Sequence, residues 1–509
     1  MIAADVQAAL LAQAHGASGD ALEIRSPWTG RAIGSVPTHT VGELHELERS
    51  GRAAQREWAA TPIGQRRAII RRFAKLVLDR KRLALDVVQA ETGKSRIHAL
   101  EEVLDVALLA GHYAGTAARA LRPRRRAGAI PLLTATREVR HPKGLVGIIA
   151  PWNYPFTLAA SDAIPALLAG NAVILKPDSQ TPYSALLAVQ LLREAGLPRD
   201  VMQVALGAGR TIGTALIDAA DFVMFTGSTA SGTVIAQQCA ARLVDFAAEL
   251  GGKNPLIVME DADIEAAARG AVRACFSNAG QLCVSIERIY VPERVADAFT
   301  DAFVRETRAL TIGGGDDWGI DIGSLISENQ VRAVEAHVAD AVAKGARVLT
   351  GGAARPDLGP SFFEPTILAE VPESAVLYRE ETFGPVVSIY RTRDEREAIE
   401  RANDSDYGLN ASVWTRRRGA AEVAAQVRTG TVNVNEGYAA AWASHAAPMG
   451  GWKASGVGRR HGREGIEKYT EAQTIAVQRL RPVGPWPGMR NEVYERIMSA
   501  AARGLNLFR

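Results

Sequence analysis

Gly144-Leu145-Val146-Gly147-Ile148-Ile149-Ala150-Pro151-Trp152-Asn153-Tyr154-Pro155, followed by Asn171-Ala172-Val173-Ile174-Leu175-Lys176-Pro177, sets the pattern for the middle of this 509-residue chain. The runs Val146–Ala150 and Ala172–Leu175 are short and apolar without alternation, as strands buried on both faces of a parallel sheet are. Thr181-Pro182 then opens a helix, with Thr as N-cap and Pro at the first helical position. Leu187 and Leu191 share one face of it, and Gly196 ends it. A strand over Val201–Leu206, a helix over Thr211–Ala219, a strand over Phe222–Phe225 and a helix over Ser228–Leu243 continue the alternation. Such order predicts an α/β fold with a doubly wound, mostly parallel sheet. Ligands in these sheets bind at the carboxyl ends of the strands.

Upstream, helical patterns cover Val41–Trp58, Ile63–Arg80 and Ser95–Leu121, and Thr134–His141 reads as a strand. Downstream, a second α/β stretch runs from Pro255 to Val457, and Thr474–Val477 is a late strand. The composition is that of an ordinary globular protein, 47% hydrophobic and 23% charged, with a net charge of +3. No concentrated basic face points to nucleic acid. The run Arg122-Pro123-Arg124-Arg125-Arg126 reads as a solvated or intersubunit surface. Three cysteines, Cys239, Cys275 and Cys283, argue against a disulfide scaffold and for a reducing compartment. No Cys or His pair stands at metal-ligand spacing, so no metal is expected. The N-terminal stretch Ile2–Ala14 carries Asp5 and no basic region, which makes a poor signal peptide. A cytoplasmic protein is the expectation.

Five blocks carry residues suited to chemistry. Cys283 lies among small residues in Ser277-Asn278-Ala279-Gly280-Gln281-Leu282-Cys283-Val284-Ser285; a thiolate attacks carbonyl carbon readily. Taken alone, Cys283 is more simply a small buried hydrophobe, and Cys239 and Cys275 keep that reading. Glu249, before Leu250-Gly251-Gly252, suits a general base, although an isolated Glu is more often a surface residue. Asn153, in Pro151-Trp152-Asn153-Tyr154-Pro155, offers an amide to an oxyanion, or marks only a Pro-bounded turn. Lys176, in Lys176-Pro177-Asp178-Ser179, could hold a ribose or phosphate, or be a solvated turn residue. Gly227-Ser228, after the strand Phe222–Phe225, places a helix N-terminus where phosphate binds, or is plain capping.

In combination, the Pro-Trp-Asn, Lys-Pro, Phe-Thr-Gly-Ser, Glu-Leu-Gly-Gly-Lys, Gly-Gln-x-Cys and Glu-x-Phe-Gly-Pro blocks make the chain resemble the aldehyde dehydrogenase superfamily over nearly its whole length. The resemblance implies NAD(P)+-dependent oxidation of a small-molecule aldehyde to its acid. Cys283 would be the nucleophile, Asn153 the oxyanion donor and Glu249 the base that activates water. For the cofactor, it implies Lys176 at the adenosine ribose, Gly227 and Ser228 at the pyrophosphate, Glu381 and Phe383 at the nicotinamide ribose, and Ala150, Trp152 and Leu250 lining the cleft. Ser179 stands where many NAD-preferring relatives carry Glu, and Arg210 could supply positive charge, so NADP+ is expected to be accepted and even preferred over NAD+.

The phrasing of Lys176–Pro182, Arg273–Tyr290 and Ser455–Gly462 is similar to an actinobacterial group of NADP-type succinate-semialdehyde dehydrogenases. Relatives matched to that substrate hold its carboxylate with two arginines; those positions here are Ser161 and Ser277, and a hydroxyl binds carboxylate far more weakly. The expected pocket is Tyr154, Leu158, Ser161, Ser277, Val284 and Trp442, with His445 as another possible basic partner. A broad or hydrophobic aliphatic or aromatic aldehyde is the alternative substrate. A non-catalytic family member or a cofactor-independent esterase is the alternative class.

The expected domains are 1–122 with 143–251 for NAD(P), 252–465 for catalysis, and 123–142 with 466–480 as a small β oligomerisation ribbon. Residues 481–509 form an amphipathic tail, with Val493, Ile497 and Ala501 at helical spacing beside Tyr494 and Met498. The tail is read as docking on the protein or its mate, with peripheral membrane contact through Trp486 and Phe508 the less favoured reading. A homodimer or a dimer of dimers follows from the ribbon.

Overall fold

The computed structural model describes residues 2–130, 133–480 and 482–507. Phe508 lies outside them. Two compact units divide the chain, one of residues 1–120 and 142–471 and one of 121–141 and 472–509.

The first unit is built on two sheets. Strands β1 (Leu145–Ile149), β2 (Ala172–Lys176), β3 (Met202–Val204), β4 (Phe222–Thr226) and β5 (Asp245–Glu249) lie in the order β5-β4-β1-β2-β3, all parallel. The chain winds outward from β1 on both sides, as the alternating pattern predicts. The short strand Gly456–Val457 closes the β5 edge antiparallel. A second sheet contains β6 (Asn254–Val258), β7 (Ile286–Pro292), β8 (Arg347–Thr350), β9 (Thr366–Ala369), β10 (Val386–Thr392), β11 (Asn410–Trp414) and β12 (Thr431–Val434). Its order is β8-β9-β10-β7-β6-β11-β12, parallel except at β8.

Helices α1 (Lys81–Thr92), α2 (Arg96–Leu121), α3 (Pro155–Ala169), α4 (Pro182–Glu194), α5 (Thr229–Ala241) and α6 (Ile264–Phe276) place the site. Every residue of α3 is buried. Each large apolar side chain there, such as Leu167 or Leu168, contributes about 1.5–3 kcal/mol by leaving water. That burial gives the loop before α3 a rigid base.

One helix start corrects the sequence reading, and a second is built in the same way. Thr181 makes no side-chain cap for α4. The carboxylate of Glu91, from α1, accepts the amides of Tyr183 at 2.6 Å and Ser184 at 2.7 Å instead. Glu102, from α2, does the same for α3, taking Phe156 N at 2.9 Å and Thr157 N at 3.0 Å. Both starts are buried, so their orphan amides need an acceptor other than water, and a carboxyl group reaching in from another helix supplies it. The helix Lys81–Thr92 and the short helix Ala4–Leu11 were not anticipated.

In the second unit, Arg124–Arg126, Thr134–Pro142 and Thr470–Gln478 form a three-stranded antiparallel ribbon in which Thr134–Pro142 is central. Arg126 pairs with Glu138 across it. The tail forms a helix over Asn491–Leu507. Ile497 and Met498 of that helix share with Ile130 and Leu480 of the ribbon side a cavity of about 1090 Å³.

Candidate active site

The carboxyl ends of adjacent strands β2, β1, β4 and β5 deliver Lys176, Ala150, Gly227 and Glu249 to one edge of the first sheet. Lys176 is only 5% exposed, and no described residue accepts a hydrogen bond from its ammonium. Burial lowers its pKa. It is therefore not a solvated turn residue. The Ala150 amide donates to the Lys176 carbonyl at 3.1 Å, which ties the two strand ends together. Ser228 caps α5 by accepting the Ser231 amide. Gly227 is required before it, because a Cβ there would stand 2.5 Å from the Phe225 ring. Leu250 lies on Gly232 of the same helix.

Ser179, half-buried, donates to the Gly207 carbonyl at 3.3 Å and joins its loop to the turn that carries the exposed Arg210. Asp178 turns its carboxylate to its own turn, accepting the Gln180 amide at 2.9 Å. A largely buried lysine whose ammonium bonds no described residue, and a helix N-terminus, on the strands either side of β1, fit the ribose and pyrophosphate of a dinucleotide.

The cysteine loop faces this edge from the second sheet. Asn278, Ala279 and Gly280 adopt left-handed φ of 51°, 53° and 71° in succession. Only glycine fits the third position, since a Cβ on Gly280 would stand 2.0 Å from the Gly384 carbonyl oxygen. That contact explains why the Gly-Gln-x-Cys and Glu-x-Phe-Gly-Pro blocks occur together. Asn254 donates to the carbonyls of Cys283 and Ser285, each at 2.7 Å. A Cβ on Gly252 would crowd the Cys283 carbonyl at 2.9 Å.

Asn153 is buried and donates to the Gln281 carbonyl at 3.1 Å, two residues before the thiol. Its own carbonyl accepts Lys94 Nζ at 2.7 Å and Asn278 Nδ2 at 3.1 Å. Lys94 is in turn paired with Glu102 at 2.5 Å, with both side chains fully buried. Glu381 accepts the Gly252 amide at 2.8 Å. Phe383, at φ 52°, meets Trp152 edge-on with ring centroids 5.4 Å apart. The amides of Thr382 and Phe383 are held by Glu287 at 2.9 and 3.0 Å. Sequence reasoning missed Lys94, Glu102 and Glu287. Each is a single charged residue whose partner lies elsewhere in the chain, and no local pattern marks it.

The electrostatics divide the roles. Burial, with the Glu249 and Glu381 carboxylates nearby, pushes the Cys283 thiol up to about 12. Cys283 therefore rests as the thiol, and attack requires a base to take its proton as the bond forms. Glu249 is 4% exposed at the end of β5, not on a surface helix. Burial raises it to about 7 against the pull of Arg460 and Lys468, close to the value a base working near neutral pH needs. Burial and Glu287 raise Glu381 to about 8. Cys239 and Cys275 are buried helix residues.

A cavity of about 190 Å³ beside the cysteine loop is lined by Tyr154, Leu282, Tyr438 and Trp442, and also by Glu101 and Arg273. An adjoining one of about 460 Å³ is lined by Glu101, Arg273 and Ser277. Of the pocket residues expected from sequence, Tyr154 and Trp442 line the first and Ser277 the second. Leu158, Ser161 and Val284 are buried and are not in the lining of these two cavities. Leu158 and Ser161 belong to a helix enclosed on all sides, and Val284 offers its carbonyl to Asn410 at 2.9 Å. Arg273 was missed; it lies one helical turn before Ser277, whose hydroxyl donates to its carbonyl at 2.8 Å.

Residues 14–475 match the model of the aldehyde dehydrogenase family. A Mycolicibacterium smegmatis protein provisionally named an NADP(+) succinate-semialdehyde dehydrogenase is 52% identical, over 95% of this chain and 93% of that protein. The Escherichia coli K12 NADP(+) succinate-semialdehyde dehydrogenase is 36% identical, over 90% and 95%. The crystal structure of a succinate-semialdehyde dehydrogenase from Burkholderia pseudomallei is similar with a TM-score of 0.87 at 35% identity, covering 90% of this chain and 95% of that one.

Proposed function

The chain belongs to the aldehyde dehydrogenase family and is an NAD(P)-dependent aldehyde dehydrogenase; on that premise we propose that it oxidises succinate semialdehyde to succinate and favours NADP+. What supports the mechanism is that Glu249 stands near enough to Cys283 to raise its thiol and that Asn153 donates to the Gln281 carbonyl beside it. Cys283 attacks the aldehyde carbon, and its proton passes to Glu249. Asn153 Nδ2, with one hydrogen on Gln281 and one to spare, and the Cys283 amide hold the oxygen as it becomes anionic. Bound NADP+ supplies the acceptor for the hydride that the carbon must lose. Glu249 then releases that proton to solvent and takes another from the water that attacks the thioester carbon; the C–S bond breaks, the acid leaves, and the Cys283 sulfur recovers its proton from Glu249.

Lys176 and Ser179 hold the adenosine ribose, with Arg210 toward a 2′-phosphate. Gly227 and Ser228 receive the pyrophosphate, and Glu381 and Phe383 the nicotinamide ribose. Ala150, Trp152 and Leu250 line the cleft. Names of relatives support the substrate and cofactor. In domain terms, 1–122 with 143–251 bind the cofactor and 252–465 carry the thiol.

The ribbon supports a homodimer and pairing of dimers. Most of Thr470–Gln478 is exposed, including Ile475 and Val477. The tail docks on the ribbon side, as the shared cavity supports. No helix among the described residues is long and apolar enough to cross a membrane. A cytoplasmic enzyme is the reading that three unpaired cysteines support. Liposome flotation with and without residues 486–509 tests membrane contact.

The decisive test measures kcat/KM for succinate semialdehyde, hexanal and benzaldehyde with both cofactors. Higher efficiency with hexanal or benzaldehyde overturns the substrate. Cys283→Ala is expected to abolish oxidation while cofactor still binds; retained turnover overturns the nucleophile.

A further inference from the structure

The substrate read above ends in a carboxylate remote from its aldehyde, and neither Ser161 nor Ser277 offers that group a positive charge. Two residues lining the cavity beside the cysteine loop can. His445 is already committed: its Nε2 lies 2.9 Å from Asp105 Oδ1, which also accepts Trp442 Nε1 at 2.8 Å, and both His445 and Asp105 are buried. Arg273 is different. Its side chain is 56% exposed and lines both adjoining cavities. One nitrogen, Nη2, meets Glu101 Oε1 at 3.2 Å, and the guanidinium stands over the Tyr438 ring at 5.9 Å. Glu101 has another donor within reach, the Tyr438 hydroxyl, 3.1 and 3.2 Å from its two oxygens. Arg273 can therefore leave Glu101 without stranding a bare carboxylate. Leu282, the neighbour of Cys283, lines the same cavity, as do the apolar Leu104 and Leu108. A guanidinium that meets a carboxylate at the mouth of such a cavity forms a paired, charge-assisted contact.

We propose that Arg273 is the specificity-determining residue of this enzyme. Its guanidinium, parked on Glu101 when the site is empty, exchanges that carboxylate for the remote carboxylate of the substrate. The inference rests on the substrate reading above and adds to it the residue that recognises the charge. It also assigns a role to Glu101, which competes with the substrate for the same nitrogen atoms.

The test compares succinate semialdehyde with butanal, a neutral aldehyde of the same chain length, in the full-length enzyme. Arg273→Gln is expected to lower the ratio of their kcat/KM values by roughly 10–100-fold, mainly through KM for the charged substrate. Arg273→Lys restores part of the ratio, because it keeps the charge and loses the fork. Glu101→Gln lowers KM for succinate semialdehyde by removing the competitor. An equal loss for both aldehydes, or a fall in the ratio with His445→Gln and not with Arg273→Gln, overturns the proposal. A wild-type enzyme that does not prefer succinate semialdehyde to butanal fails the substrate reading. An Arg273→Gln enzyme with the wild-type ratio fails the role of Arg273, whether or not that preference exists.

Discussion

Asp162 clasps Arg460 with both carboxylate oxygens, Oδ1 to Nε at 3.2 Å and Oδ2 to Nη2 at 2.7 Å, deep beneath Glu249. Arg460 also donates to Thr226 Oγ1 at 2.9 Å, and Thr226 is the residue paired with Glu249 across β4 and β5. Lys468 approaches the same aspartate at 3.8 Å. The base therefore sits over a buried cluster of charges whose balance sets its proton affinity.

A pH dependence follows. Glu249 works as a base only when ionised, and burial holds it near 7. We expect kcat/KM to fall about tenfold per pH unit below that value, since each unit removes that share of the ionised form. Asp162 raises Glu249, and Arg460 lowers it. Asp162→Asn should move the acid limb to lower pH, and Arg460→Met should move it higher. A pH–rate profile checks both, and shifts in one common direction would contradict the assignment. Both variants should also lose on the order of 3–5 kcal/mol of stability, because each leaves a buried charge unpaired.

Glu249→Gln should slow both halves of the reaction, because the thiol loses the acceptor for its proton and the hydrolytic water loses its base. Steady-state turnover drops on the order of 10²–10⁴-fold. Stopped-flow absorbance reads the first turnover, and intact-protein mass reads the acylated Cys283. A first turnover at the wild-type rate, with acylated enzyme accumulating, would give the thiol's proton to another group and leave Glu249 only the hydrolytic step.

Ser179→Glu should reverse cofactor preference. A carboxylate at that position meets a 2′-phosphate with like charge, and Asp178 is already occupied by its own turn. We expect NADP+ efficiency to fall roughly 10–100-fold, with NAD+ much less affected. Equal changes with both cofactors would remove Ser179 from the discrimination.

Gly280→Ala should disable the enzyme without touching a reacting group. Its Cβ would overlap the Gly384 carbonyl, and its φ of 71° already disfavours any side chain. The loop must shift, at a cost of about 1–3 kcal/mol. A lower Tm with a greater loss of kcat than of cofactor affinity is the expected signature. Wild-type kinetics would show that the loop tolerates the shift.

The site was legible in sequence where it follows from strand ends. Lys176 and Gly227 each close a short apolar run, and Asn153 follows one within four residues; Glu249 was marked instead by the Gly251-Gly252 turn after it. The parallel order of those runs brings them to one edge. The cysteine block was legible only in combination with the other blocks, since its small residues alone left Cys283 a buried hydrophobe. What failed was local reasoning about buried polarity. Thr181 looked like a cap and is not one, because Glu91 reaches the same amides from another helix. Arg273, four residues from the expected Ser277, carried no mark of its own.

The sequence by itself determined the winding of the first sheet, the family, and the order of its chemical blocks, because hydrophobic periodicity and turn residues act over a few neighbours. Only the tertiary structure decided which charge answers which. Lys94 with Glu102, Asp162 with Arg460, and Glu101 with Arg273 are matched across as many as 298 residues of chain. In the interior a charge is tolerated only when its partner is in contact, and contact is a property of the packed elements.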